Sequence, residues 1–214
     1  MNSVFSVLRE GGVLPVINLK SKTQEETLLA GLEGTGVSSV EVTLRSTYSI
    51  RAIESIRERR PEMLVGAGTV MSISDYERAI CAGAQYIVSP GLDIEIVERC
   101  LRDGIPVFPG CATPSEIMLA RKLGLKVVKF FPADINGGVG ALKLYESVFA
   151  DLEFLPTGGI NLDNIGLYFG CKNVIACGGS FIAPSGMLDS GDAEGVRALI
   201  NKACGIHRDI RGNK

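Results

Sequence analysis

The chain has 214 residues, 46 % of them hydrophobic and 21 % charged, a balance able to fill a sizeable globular core. Lysine and arginine total 22 against 24 for aspartate and glutamate; the net charge of −2 offers nothing to draw the chain onto nucleic acid or an anionic membrane. No stretch approaches the roughly 20 apolar residues of a membrane span, so a small molecule is the expected partner.

No linker or low-complexity segment interrupts the sequence, and 1–214 reads as one domain. The opening MNSVFSVLREGG carries Arg9 and Glu10 early, and the apolar run Val13–Ile17 is too short for a signal-peptide core. The first predicted strand is VLPVIN (13–18). A Ser/Thr start and a Gly stop then predict a helix over SKTQEETLLAGLEGTG (21–36). The second strand, SVEVT (39–43), runs on into Leu44 and Arg45. Strand side chains alternate, so Glu41, Thr43 and Arg45 share one face while Val42 and Leu44 share the other. A parallel strand is covered on both faces, so this polar face is expected to line a site.

The third strand, LVGAGT (64–69), ends in small residues that leave room for a ligand, and Thr69 adds a hydroxyl. A second punctuated helix follows over SISDYERAICAGA (72–84). The fourth strand, QYIVS (85–89), runs into Pro90-Gly91, which ordinary turn chemistry explains as well as a site does. PVFP (106–109) is the fifth strand and KVVKF (126–130) the sixth. Lys126 opens that sixth strand and reads as a solvated lysine. Lys129 sits near its far end, on the face of Val127 and opposite Val128 and Phe130, and two phenylalanines follow it.

Lysine is almost never fully buried without a partner. Either Lys129 is half of a structural ion pair or its amine is used. A free lysine has a pKa of about 10.4, so about one amine in 2,500 is neutral at pH 7. Apolar surroundings favour the neutral form, which is the Schiff-base nucleophile.

The seventh strand, EFLPT (153–157), leads into Gly158-Gly159, and the eighth, NVIAC (173–177), into Gly178-Gly179-Ser180. In barrels this pair of loops commonly holds a phosphate on backbone N–H groups, helped by a short helix N-terminus. Eight strands alternating with helices predict parallel βα units closed into a (β/α)8 barrel. The rival, a doubly wound open sheet, lacks its GxGxxG fingerprint here. The six cysteines, Cys81, Cys100, Cys111, Cys171, Cys177 and Cys204, form no CxxC. Cys204 and His207 supply two potential ligands, short of the four of a structural zinc site. A reduced, cytoplasmic protein without a structural metal is expected.

Together LPVI, EVTLR, GAGTV, SPGL, PGCATPSE, KFFPAD, PTGGI and CGGSF resemble the 2-keto-3-deoxy-6-phosphogluconate (KDPG) aldolase family, also active on 4-hydroxy-2-oxoglutarate (KHG). The likeness runs from Val13 to the last helix, and KFFPA combined with EVTLR is its most specific part. It implies a homotrimeric (β/α)8 barrel that needs no metal or organic cofactor and cleaves the phosphorylated oxo acid to pyruvate and glyceraldehyde 3-phosphate. By that likeness Lys129 is the Schiff-base lysine, Glu41 the acid and base, and Thr157 an assistant. Arg45 and Thr69 would hold the pyruvate carboxylate, Pro90 and Phe131 would line the pocket, and Gly158, Gly159, Gly179 and Ser180 would cradle the phosphate. Two positions depart from or vary within the pattern: Phe181 stands where the family often has tryptophan, and Asn18 follows LPVI near the mouth. The galactonate-derived C4 epimer and unphosphorylated KHG remain open as substrates. A phosphate-binding barrel isomerase and a non-catalytic phosphosugar sensor are the readings from other classes.

Overall fold

Strand and helix alternate as the hydrophobic patterns require, and the computed structural model describes residues 4–212. Helix α1 (Val4–Gly11) leads into β1 (Val13–Ile17), α2 (Lys22–Leu32), β2 (Ser39–Thr43) and α3 (Ser49–Arg59). Next come β3 (Leu64–Gly68), α4 (Ile73–Cys81), β4 (Tyr86–Val88) and α5 (Ile94–Asp103). Two short strands follow, β5 (Val107–Phe108) and β6 (Gly110–Cys111), then α6 (Pro114–Lys122) and β7 (Val127–Phe130). The chain ends through α7 (Gly138–Val148), β8 (Glu153–Pro156), α8 (Ile165–Phe169), β9 (Cys177–Gly179), α9 (Ser185–Ser190) and α10 (Ala193–Arg211).

All paired strands are parallel, in a six-stranded sheet β5-β4-β3-β2-β1-β9 and a three-stranded sheet β6-β7-β8. This is an α/β fold in which every strand delivers its carboxyl end to the same side.

Two expected strands take a different form. The fifth is split at Pro109, which has no N–H to donate to a neighbour. Val107–Phe108 therefore pairs with β4 and Gly110–Cys111 with β7, while Pro109 still accepts a hydrogen bond from Lys129 N at 3.0 Å. The eighth, expected over 173–177, is Cys177–Gly179. Its neighbours engage it in succession: Asn173–Ile175 bonds to Phe154 on one side, and pairing with β1 begins only at Cys177. Isolated bridges Phe154–Val174 and Thr157–Gly178 join the two sheets there. The other expected strands and the two expected helices end within a few residues of their predicted limits, as fraying ends do.

Side-chain parity sorts the core into two clusters. Val13, Ile17, Val40, Val42, Val65, Ala67, Val128 and Phe130 face the helices. Leu14, Val16, Tyr86, Val88, Phe108, Val127 and Leu155 face the interior between the strands. Helix α1, which the sequence reading did not anticipate, covers the amino-terminal end of that interior. Its Val4 and Leu8 join the inner cluster, the Phe5 ring lies 5.5 Å edge-on from Phe108, and Arg9 pairs with Glu153 at the start of β8.

Candidate active site

At the carboxyl ends of the strands the inner face turns polar. Ser39, Glu41 and Thr43 alternate inward along β2, and Val127 gives way to Lys129 along β7. Lys129 Nζ lies 3.3 Å from Glu41 Oε1. Both are buried, at 5 % and 1 % exposure, so water screens this contact little. The ammonium also lies 5.1 Å from the centre of the Phe131 ring. The apolar setting expected of Lys129 is thus half of what surrounds it. The buried ion pair, one of the two readings of Lys129, is present, and it leaves the amine facing the interior between the strands. Lys126 is exposed and reaches toward Asp151, outside the site.

The pair is held in place from below. A Cβ on Gly68 would stand 2.2 Å from Glu41 Oε1, so only glycine on β3 admits that carboxylate. Gly66 likewise clears the Tyr86 ring, whose hydroxyl donates to Val40 O at 2.8 Å and lies 2.9 Å from Ser39 Oγ. This layer forms the floor. Glu41 Oε2 is buried without a hydrogen-bond partner among the described residues. Buried carboxylate oxygens rarely stay so, and this one is an acceptor without a donor.

Around the pair lies a cavity of about 220 Å³. The residues to which the resemblance gives a role line it: Glu41, Arg45, Thr69, Pro90, Lys129, Phe131, Thr157, Gly158, Gly159, Gly179 and Ser180, whereas Asn18 and Phe181 lie beside it. Val16, Thr43 and Ile160 complete the wall. Thr43 does more than line it. Its Oγ1 donates to Ile17 O and accepts from Arg45 Nε, each at 3.2 Å, which points the guanidinium at the mouth. Arg45 has no carboxylate partner among the described residues. Thr69, at φ 60°, occupies a region that β-branched residues avoid. Such strain, of order 1–3 kcal/mol, clusters at functional sites.

Opposite Arg45, Gly158 and Gly159 adopt positive φ values of 93° and 78°. Their carbonyls are engaged elsewhere, Gly158 O by Asp134 N at 3.1 Å and Gly159 O by Asn164 Nδ2 at 2.9 Å. The amides of Gly158, Gly159 and Ser180 have no protein acceptor among the described residues. A Cβ on Gly178 would stand 2.5 Å from Thr157 Oγ1, so this glycine fixes the spacing of the two loops. The helix N-terminus expected beside this cradle is replaced by a turn. Ala183 N bonds back to Ser180 O, and α9 begins only at Ser185. Free amides nonetheless suit an anion. The cavity thus combines an amine and a carboxylate at its centre with anion-binding groups on two sides.

The model of the KDPG and KHG aldolase family matches residues 4–199. The chain belongs to that family. A 2-dehydro-3-deoxy-phosphogluconate aldolase of Treponema pallidum is 38 % identical over 93 % of this chain and 95 % of its own. The KHG/KDPG aldolase of Escherichia coli K12 is 39 % identical over 94 % of each. A crystal structure of the KDPG aldolase of Legionella pneumophila, with pyruvate captured as a covalent carbinolamine intermediate, superposes with a TM-score of 0.90. It is 34 % identical to this chain, covering 94 % of it and 98 % of its own length.

Sequence reasoning passed over the clearances at Gly68 and Gly178 and the positioning role of Thr43. Thr43 was legible as part of the polar face of β2. The clearances carry no local signal, because what the two glycines admit comes from distant strands.

Proposed function

We propose that this KDPG/KHG aldolase family member cleaves 2-dehydro-3-deoxy-6-phosphogluconate to pyruvate and glyceraldehyde 3-phosphate through a Schiff base on Lys129, and also accepts 4-hydroxy-2-oxoglutarate. The observation that carries this reading is the buried contact between Lys129 Nζ and Glu41 Oε1 inside a cavity with anion-binding groups on two sides.

Proton exchange across that contact gives an amine that attacks the C2 carbonyl. Glu41 then protonates the carbinolamine oxygen and water leaves. The iminium withdraws electrons, Glu41 or a water at Oε2 takes the C4 hydroxyl proton, and the C3–C4 bond breaks to release the aldehyde. Glu41 returns the proton to C3 of the enamine, and hydrolysis frees pyruvate. One carboxylate serves each step because every step needs an acid or a base at one place. Arg45, with Thr69, holds the substrate carboxylate, which favours a 2-oxo acid over a simple ketone. Thr157 assists beside the carbonyl, Pro90 and Phe131 shape the wall, and the loops carrying Gly158, Gly159, Gly179 and Ser180 cradle the phosphate, with the amides of Gly158, Gly159 and Ser180 as donors.

The same reading makes the two sheets one closed (β/α)8 barrel in a single domain, supported by the short breaks at Pro109 and at Phe154–Val174. It makes the protein a homotrimer, for which exposed Ile135, Leu144 and Val148 offer apolar surface. It also places the protein in the cytoplasm, a reading its six free cysteines support.

Pyruvate release from the gluconate-derived substrate, its C4 epimer and 4-hydroxy-2-oxoglutarate, followed with a coupled dehydrogenase, tests the activity. The largest kcat/KM is expected for the gluconate-derived compound. No pyruvate from any of the three would overturn the reading.

A further inference from the structure

Arg45 lines the cavity, is exposed, and has one side-chain hydrogen bond among the described residues, from Nε to Thr43 Oγ1. A long side chain so loosely held loses rotamer freedom when it grips a ligand, and a backbone fixed beforehand lessens that cost. The backbone beneath Arg45 hangs on one peptide, Thr43–Leu44. Its carbonyl accepts from Arg45 N at 2.8 Å, and its N–H donates to Gly68 O on β3, also at 2.8 Å. One peptide thus joins Arg45 on one side to Gly68, the neighbour of Thr69, on the other.

The Thr43 carbonyl has a second donor. Ser49, the first residue of α3 and 1 % exposed, donates its hydroxyl there at 2.7 Å. A serine at a helix start ordinarily caps the helix, its oxygen accepting from an amide of the first turn. Ser49 makes no such bond among the described residues, and α3 has no side-chain cap. Its oxygen accepts instead from Ser46 N at 3.2 Å, back along the turn. The Ser46 hydroxyl, 2.9 Å away, donates to Leu19 O beyond β1 and accepts from Tyr48 N at 3.2 Å.

The start of α3 is anchored separately. Tyr48 Oη donates at 2.8 Å to the fully buried Glu25 carboxylate, which also accepts from Ser55 Oγ and Arg59 Nη1. Ser49 therefore acts from a fixed base, and its bonding serves the turn rather than the helix.

We infer that Ser49 is a positioning residue: its hydroxyl sets the Thr43–Leu44 peptide and so presents the Arg45 guanidinium before a substrate carboxylate arrives. This role rests on the aldolase reading above and adds to it a residue outside the cavity. Ser49 touches no substrate. Its effect passes through Arg45 and is confined to ligands that bear a carboxylate.

Imine trapping at Lys129 with cyanoborohydride, over a range of pyruvate and methyl pyruvate concentrations, tests this. The ester keeps the C2 carbonyl and lacks the charge. Ser49→Ala should raise the half-saturating pyruvate concentration about three- to tenfold, the effect of one hydrogen bond, and move that of methyl pyruvate less than about twofold. Trapping at saturating pyruvate should be unchanged. In an Arg45→Ala background, Ser49→Ala should add less than about twofold for pyruvate, because the group it positions is gone. Equal shifts for both compounds, an unchanged pyruvate value, or full additivity with Arg45→Ala would overturn this role. A wild-type protein that traps neither compound would overturn the aldolase reading itself, and the role of Ser49 with it.

Discussion

The two ends of the inner face of the strands are built on opposite rules. At the amino-terminal end Leu14, Phe108 and Val127 pack against Val4 and Leu8 of α1, and the charges there, Arg9 and Glu153, satisfy each other near solvent. At the carboxyl end the same parity brings in Glu41, Thr43, Lys129 and Thr157, with an unpaired carboxylate oxygen and a β-branched residue at positive φ. One end contributes burial. The other keeps polar groups short of partners, which leaves them available to a ligand. Stability and chemistry should therefore separate by mutation.

The largest separation is expected at Lys129. Lys129→Met should cut pyruvate release by about 10⁴-fold or more while the protein stays folded by circular dichroism. Glu41→Gln should cost about 10² to 10⁴-fold in turnover, as general acid–base groups do, yet leave some imine formation with pyruvate. Full activity in that variant would remove Glu41 from the proton transfers. Gly68→Ala drives a methyl into Glu41 Oε1 and should lower kcat about ten- to a hundredfold through a displaced carboxylate. Unaltered kcat would mean that the carboxylate has room to shift.

At the opposite end the pattern inverts. Leu8→Ala should lower unfolding free energy by about 2 to 5 kcal/mol, read by urea titration, with kcat of the folded fraction unchanged. The smallest effect concerns His207, buried against Phe169 and Gly12 away from the site. Burial, then Arg211 and Arg208, holds its pKa below the usual histidine value of 6.5. The unfolded chain takes up this proton first as pH falls. The contribution of His207 is therefore present above pH 6.5 and lost as pH drops through the lowered folded value. His207→Gln should flatten the dependence of Tm on pH just below 6.5, and an unchanged slope would contradict the assignment.

Much of the site was legible because strand parity is local. Position along the strand separated Lys129 from Lys126, and alternation put Glu41 with Thr43 and Arg45. The contact between Lys129 and Glu41 joins residues far apart in sequence, and no local pattern announces it; the resemblance to the aldolase family supplied the partnership in advance. Pro109, without an N–H, could have warned that the fifth strand divides. Helix α1 was harder to see, since eight residues give only Val4 and Leu8 as a buried stripe. The eighth strand slipped because its two neighbours pair with successive stretches of it. The alternation of strands with helices and the polar face of β2 follow from periodicity, most site roles follow from the resemblance, and the clearances at Gly68 and Gly178 follow only from packing.

Borohydride reduction in the presence of pyruvate, followed by peptide mass mapping, tests the central claim most directly. One reduced pyruvyl adduct is expected, on the peptide containing Lys129, and none in Lys129→Met. An adduct on Lys126 or Lys143, or no adduct in the wild-type protein, would contradict the account.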